Sequence, residues 1–115
     1  MNHHKTKRKF GRVRKVRNAL LKSLALSLVL HGRIQTTDAK ARELRPYVEK
    51  MVTQGRSKTV TARRLLSAKI GVSGAEKMVN DISPKYMTRV GGYTRITKLP
   101  RRLSDGSLMA VIEFV

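Results

Sequence analysis

The apolar positions in the first third of the chain repeat with the period of an α-helix. From about Val13 onward they recur every three or four residues, at Val16, Leu20, Leu24 and Leu28, with Leu21 and Val29 beside them. This spacing places them on one side of a helix, and Gly32 supplies a stop signal. The pattern predicts a first helix that begins within a basic segment and ends before Gly32.

A short β-prone link, Arg33–Thr36, separates this helix from a second helical repeat. Thr37 followed by Asp38 predicts an N-cap and a first-turn acid, and Gln54-Gly55 predicts the end of the helix. The predicted buried positions of this helix are Ala41, Leu44, Val48, Met51 and Val52. Pro46 lies within the repeat, so we expect a kink or a fresh first turn there.

Two further helical segments are predicted before the chain changes period. The third has apolar positions at Val60, Ala62, Leu65, Leu66 and Ile70. Gly71 closes it, and the spacing of Ser73 and Glu76 predicts a capping box for a fourth helix through Met78, Val79 and Ile82. Ser83-Pro84 is expected to end the helices.

The last quarter of the chain has the composition of β-strands. Tyr93–Leu99 and Met109–Val115 predict an antiparallel hairpin, joined by a loop that contains Pro100 and Asp105-Gly106. Apart from Glu113, the second strand is apolar on both faces, which is typical of an inner strand, and the Ile34 segment is expected to pair beside it. The predicted fold is therefore α+β in two layers, ordered helix, strand, three helices, two strands. We expect a small mixed three-stranded sheet backed by helices, with a basic N-terminal extension.

Charge divides the chain into two regions and indicates a polyanionic partner. The 115 residues include 26 Lys and Arg but only 7 Asp and Glu, a formal net charge of +19, and the first acid is Asp38. We predict a basic extension over residues 1–18 that leads into the first helix, and a globular α/β domain over 19–115. The extension contains too few apolar side chains to fold alone, so we expect it to become ordered on a polyanion.

Candidate RNA contacts follow from this charge distribution, because arginine binds phosphate bidentately and stacks on exposed bases, as irregular RNA requires. In the amino-terminal segment they are His3, Lys5, Lys7, Arg8, Lys9, Arg12, Arg14, Lys15 and Arg17. Later in the chain they are Arg33, Lys40, Arg45, Arg63, Arg64, Lys85, Tyr86, Arg89, Tyr93, Arg95 and Arg101. For the two tyrosines, base stacking and a place at the edge of the core are both open.

Catalytic and metal sites find little support in the sequence. There is no Cys, and His3, His4 and His31 are not accompanied by carboxylate pairs. No Walker-type loop or nucleophile–base–acid set can be assembled, so we expect no enzyme activity, cofactor, bound metal or small-molecule substrate.

Leu20–Leu30 is too short to span a membrane. Two other binding classes stay open: a DNA-compacting protein, and a membrane-surface protein anchored by an amphipathic first helix.

Short blocks throughout the chain resemble one family, the bacterial-type large ribosomal subunit protein numbered seventeen. The first is Met1-x-His3 followed by the Lys-rich segment. The others are Leu24-Ala25-x-Ser27-Leu28, His31-Gly32-Arg33-Ile34-x-Thr36-Thr37, Lys40-Ala41-x-Glu43-Leu44-Arg45, Ala62-Arg63-Arg64, Pro84-x-Tyr86, Gly91-Gly92-Tyr93-Thr94-Arg95-Ile96 and Met109-Ala110-Val111-Ile112-Glu113. Departures from the family pattern are Asn2, Val16, Ser104 and Leu108.

The resemblance carries its own implications for function. It implies the same two-layer fold and a non-catalytic protein that binds large-subunit rRNA and helps to assemble and hold that subunit. It also implies a position near the nascent-chain exit, contact with neighbouring ribosomal proteins including the one numbered thirty-two, and no membrane partner. The expected location is the cytoplasmic bacterial ribosome rather than an organellar one.

Overall fold

Three long helices and three strands make up the computed structural model, which describes residues 14–115. In chain order they are α1 (Arg14–His31), β1 (Arg33–Thr37), α2 (Asp38–Gly55), α3 (Val60–Lys77), β2 (Thr94–Leu99) and β3 (Met109–Phe114). The predicted α+β class and element order are confirmed. The predicted boundary between extension and domain, at residue 18, falls inside α1.

Helix α1 ends as predicted, and three of the predicted apolar positions, Leu21, Leu28 and Val29, lie on its buried side. Gly32 adopts φ 80°, a left-handed conformation that favours glycine, and its N–H donates to the Leu28 carbonyl at 2.7 Å. The buried residues are Leu21, Ala25, Leu28 and Val29. Val16 is 49% exposed, because the first turns of α1 precede the part of the helix that packs on the body.

Helix α2 has its predicted cap and core positions and continues through Pro46. The Thr37 hydroxyl accepts a hydrogen bond from the Lys40 N–H at 3.3 Å. All five predicted core positions are buried. The fresh first turn expected at Pro46 does not occur. Pro46 is exposed, so the carbonyl that loses its N–H partner one turn earlier can be hydrated, which reduces the cost of proline inside a helix.

Gly71 divides α3 into two segments, as the sequence predicts. Its φ of 82° and ψ of 172° lie in a region that essentially only glycine occupies. The helical path then continues through a π-helical turn, Met78–Ile82, and a 3₁₀ turn, Ser83–Tyr86, so Ser83-Pro84 does not end it. The predicted capping box is wrong, because the Glu76 carboxylate instead accepts hydrogen bonds from other side chains, Arg63 and Asn80.

Strand β3 lies between the other two strands, as expected of an inner strand, with the order β1-β3-β2. Both pairings are antiparallel, so the prediction of a mixed sheet is wrong. The helical connection from β1 to β2 makes these two strands run in the same direction, but β3 separates them. No neighbouring pair among the three strands is therefore parallel.

The two faces of the sheet differ in character because side chains alternate along a strand. Ile34, Ile112 and Ile96 are directly opposite one another on the inner face, which packs against the core of helical residues. We define the outer sheet face by Arg33, Gln35, Arg95, Thr97, Val111 and Glu113. Gln35 and Thr97, on either side of Val111, are exposed, so this face is open to solvent.

Candidate nucleic-acid interface

The amino-terminal half of α1, residues 14–20, carries three predicted RNA contacts. Arg14 and Lys15 are exposed and Arg17 is partly exposed, and this half contains neither an acid nor a buried residue. Seven residues of helix correspond to about 10 Å of length before the first core residue, Leu21. The helix therefore presents these cations beyond the packed core. The other predicted contacts of the extension, His3, Lys5, Lys7, Arg8, Lys9 and Arg12, lie outside the described residues.

The structure brings two of the predicted cations together on the outer sheet face. Arg33 and Arg95 are cross-strand neighbours of Glu113, one on each side. Glu113 Oε1 accepts hydrogen bonds from Arg95 Nε at 3.1 Å and Nη2 at 2.7 Å. Glu113 Oε2 lies 3.8 Å from Arg33 Nε. The Arg95 hydrogen bonds, with the charges of Arg95 and Arg33, lower the pKa of the Glu113 carboxyl, so it is ionised at neutral pH.

Other predicted cations lie separately along α2 and α3. Arg45 Nε is 3.6 Å from the Glu49 carboxylate, which also accepts hydrogen bonds from the N–H and hydroxyl of Thr94 at 3.1 and 2.8 Å. Arg63 Nη1 donates to Glu76 at 3.0 Å. Lys40 and Arg64 have no ion pair with any of residues 14–115. Arg45 and Arg63 are thus held by acids on the body of the domain.

The two tyrosines predicted as possible base-stacking residues are part of the core. Tyr86 is 4% and Tyr93 1% exposed, and their ring centroids lie 5.2 Å apart. The Tyr86 hydroxyl donates to the Val115 carbonyl, and burial raises the pKa of Tyr86. Neither ring offers a free face to a nucleobase, so the structure corrects the base-stacking prediction in favour of the core-edge alternative.

Arg56 organises the loop that carries Arg89, a role that the sequence did not reveal. Its Nη1 donates to the Arg89 carbonyl at 2.8 Å and to the Tyr93 hydroxyl at 2.8 Å, and its Nη2 donates to the Met87 carbonyl at 3.3 Å. The Arg89 side chain is exposed. Lys85, in the preceding 3₁₀ turn, is also exposed. The Arg56 donors are therefore used within the molecule, on two exposed backbone carbonyls and the Tyr93 hydroxyl.

The loop between β2 and β3 is also organised by a charged pair. Arg102 Nε and Nη2 donate to the two carboxylate oxygens of Asp105 at 3.0 and 2.7 Å. The Asp105 carboxylate also accepts the Ser107 N–H at 3.1 Å, and these hydrogen bonds lower its pKa. The predicted contact Arg101 donates to the Gly106 carbonyl at 2.9 Å. A turn was expected at Asp105-Gly106, but its ion pair was not.

Internal ion pairs occupy nearly all of the protein's acids. Six of the seven Asp and Glu residues lie within 4.0 Å of a basic group: Asp38 with Arg42, Glu49 with Arg45, Glu76 with Arg63, Asp81 with Lys77, Asp105 with Arg102, and Glu113 with Arg33 and Arg95. Most of the 26 basic residues consequently have no carboxylate to neutralise them. An external polyanion would supply the missing negative charge.

The membrane-surface alternative can be compared with this geometry. The apolar side of α1 that a membrane anchor would use faces the core through Leu21, Ala25, Leu28 and Val29. None of the helices in residues 14–115 is long and apolar enough to cross a membrane. In the same range, no three His, Cys, Asp or Glu side chains are grouped as metal ligands would be. The exposed chemistry of the described chain is mainly that of guanidinium and ammonium groups.

Comparison with known proteins agrees with this description. Residues 20–115 match the family model described as ribosomal protein L17. The chain belongs to the ribosomal protein L17 family. A relative from Gemmatimonas aurantiaca, named large ribosomal subunit protein bL17, is 46% identical over 116 residues, covering 100% of this chain and 98% of the relative. Proteins of the same name from Persephonella marina and Sulfurimonas denitrificans are 47% and 45% identical, also over 100% of this chain.

Membership of the ribosomal protein L17 family confirms the resemblance found in the sequence blocks. Because this is a family of structural ribosomal components, the expectation that the chain is not an enzyme is also confirmed. The match to the family model begins at Leu20, so it covers the whole packed domain but not residues 14–19 at the start of α1. The relatives align over the full chain and include those residues.

Proposed function

We propose that this protein is a structural constituent of the large ribosomal subunit that binds large-subunit rRNA and supports subunit assembly and translation. Its site of action is then the cytoplasmic bacterial ribosome. The observation that carries the proposal is the large excess of cations over acids in a chain of the ribosomal protein L17 family. Since six of the seven acids are already paired within the domain, phosphate is the natural counter-charge for the remaining cations.

The basic extension and the start of α1 supply the main phosphate contacts in this proposal. Residues 1–18 contain eight Lys and Arg and no acid. The globular domain, residues 19–115, then fixes the position of this segment and adds the exposed cations of its helices, strands and loops. Contacts to neighbouring large-subunit proteins, including the one numbered thirty-two, belong to the same proposal and rest on the family resemblance.

Salt dependence of binding tests the electrostatic part of the proposal. If about eight phosphates are neutralised, the logarithm of the affinity for an rRNA transcript should fall with the logarithm of salt concentration with a slope between about −6 and −7. Duplex DNA at the same salt is the competitor, because a DNA-compacting protein would bind it equally well. An affinity that does not change with salt would contradict the proposal.

Association with the subunit itself can be tested by sucrose-gradient fractionation of cells that express the full chain. We expect the chain to follow the large subunit after a high-salt wash, because many weak phosphate contacts are reinforced by the fit of the folded domain. Co-sedimentation with anionic vesicles, without the large subunit, would favour a membrane-surface role. Crosslinking of the washed subunits would then identify the neighbouring proteins.

A further inference from the structure

Glu113 is the one acidic residue among those that define the outer sheet face. It lies on the central strand, with Arg33 on one side and Arg95 on the other. Its side chain is 21% exposed, whereas those of Arg33 and Arg95 are 67% and 60% exposed. The acid is thus shielded between two arginines whose outer parts remain in contact with solvent. A residue that simply reduced the positive charge of the surface would not need this arrangement.

The positions of the three residues explain what the acid does to the arginines. Neighbouring strands lie about 4.8 Å apart, so Arg33 and Arg95 emerge from the sheet about 10 Å apart. Two guanidinium groups at this distance repel each other and sample many rotamers unless something holds them. The Glu113 carboxylate holds Arg95 by two hydrogen bonds, at 3.1 and 2.7 Å, and attracts Arg33 at 3.8 Å.

This arrangement leaves donors available on both arginines. A guanidinium has five N–H groups. Arg95 uses Nε and one N–H of Nη2 on Glu113, so its Nη1 group stays available. Arg33 approaches Glu113 with Nε, and neither of its terminal nitrogens forms a hydrogen bond with any of residues 14–115. Arginine binds phosphate oxygens with pairs of such N–H groups, and a preorganised arginine loses less conformational entropy on binding.

We propose that the outer sheet face is an RNA-contact surface on which Glu113 is a positioning residue, holding Arg33 and Arg95 ready for two phosphates. This inference rests on the proposed rRNA binding. The charge of the face favours RNA as its occupant: both exposed charged side chains are cations, and the single acid is already bound by them. Exposed Gln35 and Thr97 offer further polar groups to a ribose–phosphate backbone.

The direction in which one substitution changes the affinity for RNA distinguishes a positioning role of Glu113 from a simple charge effect. Glu113→Gln removes a negative charge, so general electrostatics predicts tighter binding to RNA. Positioning predicts the opposite, because the amide holds the arginines less firmly. We expect the full-length variant to bind a large-subunit rRNA transcript about two- to tenfold more weakly than the wild type, which corresponds to the ordering cost of one or two side chains.

Glu43→Gln is the matched control, since it makes the same charge change in α2 at a residue that forms no ion pair within residues 14–115. We expect this variant to bind the transcript as tightly as the wild type or slightly more tightly. Equal or tighter binding by Glu113→Gln, while the wild type binds normally, would overturn the inference. That result would be expected if the face instead met an acidic protein segment. Failure of wild-type binding would overturn the proposed function itself.

Repeating the substitution in Arg95→Ala protein distinguishes a positioning role of Glu113 from damage to the fold. In Arg95→Ala protein the carboxylate has lost its main partner and keeps only Arg33, so adding Glu113→Gln should weaken binding less than it does in the wild-type background. Weakening of the same size in both backgrounds would indicate general structural damage and would overturn the positioning role. Thermal unfolding of the wild type and of every variant, followed by circular dichroism, shows whether each is folded at the temperature of the binding assay.

Discussion

The amino-terminal half of α1 and the outer sheet face both present arginines to solvent, but only the second contains an acid. In α1, Arg14, Lys15 and Arg17 stand on a helix that precedes the first buried residue. On the sheet, Arg33 and Arg95 share the Glu113 carboxylate. The first region thus offers charge density without defined partners, whereas the second offers less net charge in a defined geometry. If both regions contact rRNA as proposed, the first should contribute mainly affinity and the second mainly the placement of individual phosphates.

The largest expected effect is the loss of stability when a core side chain of α1 is truncated, compared with a truncation in its exposed part. Leu28→Ala removes a fully buried side chain from the core, so unfolding free energy should fall by about 2–5 kcal/mol. Val16→Ala, in the exposed half, should change it by less than about 0.5 kcal/mol. Chemical denaturation of both variants measures the difference. Equal losses would mean that the amino-terminal half is packed as firmly as the rest.

The next effect concerns the affinity for RNA of the cations in the first turns of α1. Replacing Arg14, Lys15 and Arg17 together by Gln removes three of the proposed phosphate contacts, each worth about 1 kcal/mol at physiological salt from counterion release. Binding to an rRNA transcript should weaken about a hundredfold, and the slope of log affinity against log salt should decrease in magnitude by about two to three. Filter binding across a salt series measures both quantities.

The matched control replaces Lys50, Lys58 and Lys98 by Gln, which makes the same change in net charge elsewhere on the domain. We expect a smaller loss of affinity from this variant, because these lysines are not concentrated at the amino-terminal end. Thermal unfolding temperatures of both triple variants should stay close to that of the wild type. Equal losses of affinity would show that net charge alone determines binding, and the distinction between the two regions would fail.

The smallest expected effect is a dependence of stability on pH that arises from Glu113 on β3 and Asp105 in the loop between β2 and β3. The pKa values of Glu113 and Asp105 are lowered in the folded protein from ordinary values of 4.5 and 3.8. A lowered folded pKa stabilises the protein above the unfolded pKa, and this stabilisation is lost as pH falls below it. The unfolding temperature should therefore decline below about pH 4.5.

Glu113→Gln should reduce this decline, because the glutamine has no proton to gain between neutral and acidic pH. The amino-terminal half of α1 contains no carboxylate, so the triple glutamine variant should keep the wild-type pH dependence. Thermal melts from pH 7 to pH 3 compare the three proteins. An identical decline in wild type and Glu113→Gln would show that the arginine pair adds no measurable stability.

Local patterns were sufficient to predict most elements and their order. Several features depend only on residues that are close along the chain, so they can be identified without knowledge of the fold. They are the glycines at positions 32 and 71, the Thr37 cap and the alternation of strand residues. The errors occurred where distant parts meet. In α1 the predicted positions Leu21, Leu28 and Val29 are buried but Val16 is exposed. The capping box at Ser73 was wrong because Glu76 has a better partner in Arg63.

The candidate site was predicted by residue type, and the structure refined it by position. Arginine and lysine content predicted a polyanionic partner, which agrees with membership of a ribosomal protein family. The exposure of each side chain could not be inferred from residue type alone. Tyr86 and Tyr93 lie beside basic residues in sequence, yet both face the core. Arg56 carries the same charge as Arg89, yet its donors are used within the molecule, on backbone carbonyls.

The charge excess, the ends of α1 and α2 and the inner position of β3 could be predicted from the sequence, because each depends on composition or on neighbours a few residues apart. Ion pairs between distant residues depend on how the elements pack. Arg33 and Glu113 are eighty positions apart, and the sheet register brings them opposite each other. Charge density at the start of α1 can thus be identified in the sequence, whereas the arginine pair on the outer sheet face exists only because three strands associate.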